Sequence, residues 1–335
     1  MKINFLILNS SFLIQKRMKR LQNRISESRF ALPITAVYAL GAWLVMCAVS
    51  GRTYAELAVF ALSAYLMVEL NNRNALIRVY SRMVSCTFLV LGTMAAPVTG
   101  SVEVVIVQLC FIAAYLTLFA SYQDKRAQGR MFYAFMFIGI ASVIFPQSLF
   151  FVPVLWVLIG TNLMAMSWRN FWASLIGLTA PYWFIGGYCA MTGSFFEVTQ
   201  KLKFDLWTVH PYDITISVDT AATFGFTLLA AAIGTVHFLR NSYKDKIRTR
   251  MIYEMLITLA AFTAALAVLQ PANAGQLTGI LIVNASVQAG HFFALTGTRF
   301  TNIAFILLAL LAIAITAFNI MNITPAANNL SPWSL

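Results

Sequence analysis

Residues 54–98 read YAELAVFALSAYLMVELNNRNALIRVYSRMVSCTFLVLGTMAAPV, and this stretch decides the fold class. Two apolar runs, 54–70 and 83–98, flank a polar segment, 69–83, that concentrates three arginines and three asparagines. A helix of roughly 20 apolar residues crosses the ~30 Å hydrocarbon layer and satisfies its own backbone hydrogen bonds there. The stretch therefore predicts two membrane-spanning helices joined by a polar turn at the membrane surface.

The same pattern recurs along a chain that is 60% hydrophobic and only 10% charged. A transmembrane β-barrel would show segments of about 10 residues with alternating polarity, whereas the apolar runs here are continuous. We therefore expect an all-α, polytopic bundle of about 11 spans, or 10 to 12, since the fifth and sixth share a Pro-Gln turn. The expected spans are 30–50, 54–70, 83–98, 103–120, 131–146, 148–166, 172–191, 218–239, 252–269, 278–296 and 300–322.

Charge predicts the orientation of these spans, because cytoplasmic loops of membrane proteins are enriched in Lys and Arg. With the N-terminus in the cytoplasm and 11 spans, 20 of the 23 basic residues fall on the cytoplasmic side and the C-terminus is periplasmic. The opposite side receives only Arg52, Lys201 and Lys203. The net charge of +12 is thus interpreted as an orientation signal, and nucleic acid is not an expected partner.

The spans divide the chain into three parts. Residues 1–29 form a basic cytoplasmic segment, 30–322 a single membrane domain, and 323–335 a short uncharged tail. Within the first part, residues 4–14 (NFLILNSSFLI) are apolar but too short to span, and basic residues follow them. Two hypotheses stay open: translation starts at Met18, or this segment lies on the membrane surface.

The polar turn between the second and third spans is the first candidate site. Its arginines are Arg73, Arg78 and Arg82, and its asparagines are Asn71, Asn72 and Asn74. Arginines at the membrane surface attract anionic headgroups, and Glu69 is placed to pair with the arginine four residues later. We favour an anchoring turn. The alternative is an arginine cluster that holds a lipid phosphate or a partner carboxylate, which the three amides favour.

A second candidate is the polar stripe in the tenth span. Asn284, Gln288 and His291 lie at positions i, i+4 and i+7, on one face of a helix. Polar residues inside a membrane are costly and often functional, so the stripe is a candidate for binding a proton or a polar substrate. The span has no acidic residue, which favours the other interpretation, hydrogen bonds that hold neighbouring helices together.

Several further residues are expected to be structural. Gln108 and Asn162 are isolated in their spans and are expected to contact neighbouring helices. Glu254 is placed to pair with Arg250, and His237 to extend its ring toward the membrane surface. The four cysteines fit no metal or redox spacing and are expected to be small buried residues: Cys47, Cys86, Cys110 and Cys189.

The outer loop after the seventh span holds the only candidate acid–base group, Asp205, His210 and Asp213. A solvated amphipathic loop is the favoured interpretation. The chain contains no P-loop, no dinucleotide-binding glycine pattern, no HExxH and no GxSxG. We therefore assign no catalytic, cofactor-binding or metal-binding residue, and an enzyme is the less favoured class.

Four stretches resemble an uncharacterised family of polytopic inner-membrane proteins from Bacteroidota, and the resemblance runs from about residue 24 to 320. They are ESRFALPITAVYAL (27–40), NNRNALIRVYSRM (71–83), FIGIASVIFPQSLFFVPVLWV (137–157) and RNFWASLIGLTAPYW (169–183). The resemblance implies a multi-pass protein of a Gram-negative cytoplasmic membrane. It implies no activity and no site residues.

Three functions are compatible with this sequence. The favoured one is a non-enzymatic subunit or scaffold of an envelope complex, with anionic lipids and other membrane proteins as partners. The second is a transporter of a small polar solute or a lipid-linked intermediate. The third is a membrane enzyme that acts on a lipid-linked sugar at the outer face.

Overall fold

A computed structural model of the chain describes residues 21–50, 54–99, 101–193 and 217–323. These residues are all-α, with twelve α-helices and no strand. Three short 3-10 turns, Pro146–Phe150, Ser242–Lys244 and Pro271–Asn273, lie between helices. The helices are α1 (Leu21–Ser26), α2 (Ala31–Ser50), α3 (Tyr54–Asn74), α4 (Met83–Thr99), α5 (Val102–Phe119), α6 (Gln128–Ile144), α7 (Phe151–Thr161), α8 (Trp168–Thr192), α9 (Val218–Asn241), α10 (Ile247–Leu269), α11 (Ala274–Leu295) and α12 (Arg299–Ile323).

Seven helices of the described chain, α2, α3, α5, α9, α10, α11 and α12, are long and apolar enough to cross a membrane. The chain is a multi-pass membrane protein, and the predicted all-α class is confirmed. Each expected span overlaps one helix from α2 to α12. Four helices begin three to five residues earlier than expected, because a helix continues beyond its apolar run into the polar interface. They are α6 at Gln128, α8 at Trp168, α10 at Ile247 and α11 at Ala274.

Helix α11 is the centre of the bundle, since α4, α5, α9 and α10 all pack against it. Its side chains from Leu277 to Phe292 are buried. Glycines let its backbone approach its neighbours closely. A Cβ on Gly234 of α9 would lie 2.4 Å from the carbonyl carbon of Gln288, and one on Gly290 would lie 2.8 Å from Val84 of α4. The polar stripe of α11 is therefore enclosed by helices.

The connections on one side of the bundle, which we call the basic end, carry the positive charge. Ser81 Oγ donates to the Ser26 carbonyl (2.9 Å), and Arg248 Nη2 donates to the Phe119 carbonyl (3.1 Å), so these connections meet in space. Every Lys and Arg of the described residues lies at this end. The segments that form it are α1, 75–82, 120–127, 162–167, 242–246 and 296–298.

Helices α6 and α8 form a close pair at one side of the bundle. Pro181 lies inside α8, and a Cβ on Gly139 of α6 would approach the Pro181 ring at 3.1 Å. A Cβ on Gly177 would lie 2.2 Å from the Phe132 carbonyl oxygen. These contacts give the proline and the glycines a packing role. All four cysteines are free and buried, as predicted.

Candidate functional site at the basic end

The asparagines of the polar turn shape its backbone. Helix α3 ends at Asn74, and Ala75 follows in the left-handed conformation (φ 46°). Asn71 Nδ2 donates to the Ser81 carbonyl (3.1 Å), which closes the turn. Asn74 Oδ1 accepts from Arg248 Nη2 (2.9 Å), which ties the turn to α10. Two of the three amides singled out in the sequence are thus engaged in hydrogen bonds within the protein.

The outer arginines of the turn have separate neighbours. Arg73 forms the expected ion pair with Glu69. The Arg82 guanidinium lies 6.0 Å from the centre of the Tyr80 ring. Asn72 is exposed. These side chains do not share a contact with one another in the structure, and a lipid-phosphate site on them stays a prediction.

Arg78, the remaining arginine, meets the polar stripe through a residue from another segment. Asp245 follows the 3-10 turn Ser242–Lys244, and its side chain is only 2% exposed. Its Oδ2 lies 3.2 Å from His291 Nε2, at hydrogen-bond distance. Its Oδ1 lies 3.8 Å from Arg78 Nη1, an ion-pair distance too long for a direct hydrogen bond. One carboxylate therefore faces both a buried imidazole and a guanidinium that is 36% exposed.

Aromatic rings enclose the other side of the His291 imidazole. The ring centroid of Tyr253 lies 4.9 Å from that of His291, and those of His237 and Phe238 lie at 5.4 and 5.6 Å. The Nδ1 atoms of His237 and His291 are both buried, and neither has a hydrogen-bond partner among the described residues. His237, expected to extend toward the surface, lies against this cluster.

The two other residues of the stripe lie deeper in the bundle. Gln288 Nε2 donates to the Leu256 carbonyl of α10 (3.3 Å), and Gln288 Oε1 accepts from Thr235 of α9 (3.2 Å). The Asn284 side chain lies next to the Tyr115 hydroxyl of α5, but the two groups do not form a hydrogen bond of normal geometry. Gln288 thus joins helices, as the packing interpretation predicts, whereas Asn284 Oδ1 is a buried acceptor without a partner in the described part of the chain.

Asp245 is the residue that sequence reasoning missed. It lies in KDKIRTR (244–250), where the surrounding positive charge dominated the interpretation. The packing interpretation of the stripe depended on the lack of an acid in the same span. The fold supplies that acid from 46 positions away. The sequence feature that could have indicated this residue is a single carboxylate inside a basic run.

Two contacts among the structural polar residues are as predicted, and one is not. Gln108 Nε2 donates to the Gly279 carbonyl (3.2 Å), and Asn162 contacts α10, so both join helices. The predicted pair of Glu254 with Arg250 is wrong, since the Glu254 carboxylate instead accepts from Asn162 Nδ2 (3.2 Å). A base placed N-terminal to an acid at i, i+4 is the weaker order of such a pair.

The acid–base group Asp205, His210 and Asp213 lies outside the described residues, as do Met18, the segment 1–20 and the tail from 324. Within the described part of the chain, no group of three or more His, Cys, Asp and Glu side chains is arranged to hold a metal ion. Comparison with family models, with curated protein sequences and with solved structures finds no match to this chain.

Proposed function

We propose that the chain is a transporter of the cytoplasmic membrane that moves protons along α11. It has eleven crossings, and its basic end faces the cytoplasm. The transporter is the second of the three functions compatible with the sequence, and the burial of Asp245 against His291 favours it over the scaffold. The transported solute is the proton, which the polar stripe on α11 is a candidate to bind.

The contact between Asp245 and His291 carries this proposal. Ionisable residues inside a membrane are costly, and chains of Asp, Glu and His form proton relays. Histidine exchanges protons near neutral pH, and its two ring nitrogens can take up a proton on one side and release it on the other. His291 has Nε2 against the carboxylate and Nδ1 on the opposite side of its ring. Arg78, partly exposed beside the carboxylate, connects the pair to the surface of the basic end.

The stripe extends this pair toward the middle of the membrane. At 1.5 Å per residue, Asn284 lies about 10 Å along the helix axis from His291. Buried polar atoms in a protein normally have a partner, either another protein group or ordered water. The facing pair of Tyr115 and Asn284 is therefore a place where a water completes the hydrogen bonds and extends the path.

The direction of the bundle is supported by its charge. The described lysines and arginines all lie at the basic end, and cytoplasmic loops are the ones enriched in these residues. At this end, Arg73 is exposed and Arg82 is half-buried, and both contact anionic headgroups in this proposal. The Gram-negative cytoplasmic membrane and membership of the Bacteroidota family are proposed on the resemblance of the sequence.

The scaffold hypothesis keeps one supporting observation. Helix α8 exposes large aromatic side chains, with Trp183 at 78% and Phe184 at 80%. Such a surface contacts either lipid or a second membrane protein. Purification in a mild detergent distinguishes the two: a stoichiometric partner protein supports the scaffold, and a chain that purifies alone counts against it.

The experiment that tests proton movement uses the purified chain in liposomes. A potassium gradient with valinomycin imposes a membrane potential, and an internal pH-sensitive dye reports proton flux. We expect flux above that of empty liposomes, and a fall of at least roughly tenfold in Asp245→Asn and His291→Gln. Asp124→Asn, an exposed aspartate at the same end, is the control and should keep the flux. Wild-type flux equal to that of empty liposomes would overturn the proposal.

A further inference from the structure

A small, partly open cavity lies at the end of the bundle opposite the basic end, where α2, α3, α4, α5 and α11 meet. Its volume is about 10 Å³. Polar side chains contribute to a wall that is otherwise apolar, and among the lining residues are Trp43, Glu56, Phe60, Gln108, Gly279 and Ile282. The cavity borders the half of α11 that the polar stripe does not reach.

Two polar side chains at this cavity are removed from solvent. Glu56, in the first turn of α3, is 6% exposed. The positive end of the helix dipole reduces the cost of burying its charge. Trp43 is 1% exposed, and its Nε1 has no hydrogen-bond partner among the described residues. Gln108 Nε2 is already committed to the Gly279 carbonyl.

The size and chemistry of the cavity select its occupant. A volume of roughly 10–15 Å³ holds a single water molecule. The indole N–H is a donor only and requires a lone pair, which a water oxygen has and a metal cation lacks. A water can accept from Trp43 Nε1 and donate to the Glu56 carboxylate at once. The site therefore favours water over a bare cation.

We infer that this cavity binds one water between Trp43 and Glu56, and that Glu56 is the proton acceptor at the outer end of the path along α11. The inference rests on the proposed proton transport. A proton from the external solution binds the Glu56 carboxylate and passes to the cavity water. That water passes one of its own protons to the water proposed between Tyr115 and Asn284, so that Glu56 and the cavity water return to their starting forms. Gly279 at the cavity and His291 are twelve residues apart, about 18 Å along the helix. The two ionisable sites thus lie near opposite ends of one central helix.

Proton flux in liposomes tests the role of Glu56, with Glu103 as the matched control. Glu103 is an exposed glutamate in the first turn of α5, at the same end of the bundle. We expect Glu56→Gln to reduce flux at least tenfold and Glu103→Gln to leave it unchanged. If the wild type shows flux and Glu56→Gln shows the same flux, the role of Glu56 is overturned and the proposed proton transport is not. No wild-type flux overturns the proposed function, and this role of Glu56 with it.

The bound water is tested separately from transport. In ¹⁵N-tryptophan-labelled protein in detergent, Trp43→Phe identifies the Trp43 indole signal by its loss while keeping an aromatic ring against Phe60. We expect the Trp43 N–H in the wild type to show magnetisation transfer with a water proton, and Glu56→Gln to shift that signal. If the Trp43 N–H shows no magnetisation transfer from a water proton, the water site is overturned, whatever proton flux the liposomes show.

Discussion

The substitution Asp245→Ala tests the geometry of the cluster through stability. The change removes a hydrogen bond between a carboxylate and the fully buried His291, and leaves Nε2 of that ring without its acceptor. Hydrogen bonds to charged groups contribute about 1.5–3 kcal/mol, and an unsatisfied buried group costs about 1–3 kcal/mol. The contact with Arg78 adds little, because that side chain is 36% exposed and screened by solvent. We expect a loss of about 3 kcal/mol.

The control is Asp124→Ala, at the same end of the bundle. Asp124 lies 3.4 Å from Arg130, and their side chains are 43% and 51% exposed. An exposed pair of this kind contributes at most about 1 kcal/mol. Thermal unfolding in detergent, followed by intrinsic fluorescence, should show a Tm drop of roughly 4 °C for Asp245→Ala and about 1.5 °C or less for the control. Equal drops would refute the buried contact.

Three further changes test the packing by the same melting assay. Gly234→Ala should destabilise by about 1–3 kcal/mol because its Cβ meets the backbone of α11, whereas Gly225→Ala on the same helix, with open space around it, should not. Ala75→Gly should stabilise by up to about 1 kcal/mol, since it relieves a left-handed residue; a loss of stability would contradict this. Asn319→Ala should cost about 1–3 kcal/mol, because it removes buried hydrogen bonds to α4 and α9; no change would contradict it.

The helices of this protein are predictable from local sequence, because the bilayer acts on each segment separately. A run such as 300–322 must be helical in lipid whatever its neighbours do. The pair of Glu69 with Arg73 is equally local, since a four-residue spacing within a helix determines it. The first residues of α6, α8, α10 and α11 are less well predicted, because polarity marks the edge of the hydrocarbon and a helix can extend past it.

The candidate sites depend on contacts that no local pattern contains. Asp245 reaches His291 only because the connection between α9 and α10 lies over the end of α11. Glu56 faces the cavity beside Trp43 because α2 and α3 pack on α4 and α5. In the sequence, Asp245 lies in a basic run and Glu56 lies at the start of an apolar one, and neither position indicates a buried side chain. Their burial follows from the packing of distant helices, which hydropathy alone does not specify.

The most direct test of the account is the side of the membrane on which the basic end lies. Single cysteines would replace Tyr243, which is 72% exposed at the basic end, and Ala272, which is exposed at the opposite end. The background would have its four native cysteines changed to alanine. In intact cells, an impermeant maleimide should label Ala272→Cys at once and Tyr243→Cys only after the membrane is permeabilised. Labelling of Tyr243→Cys from outside intact cells would contradict the orientation and the direction of the proposed path.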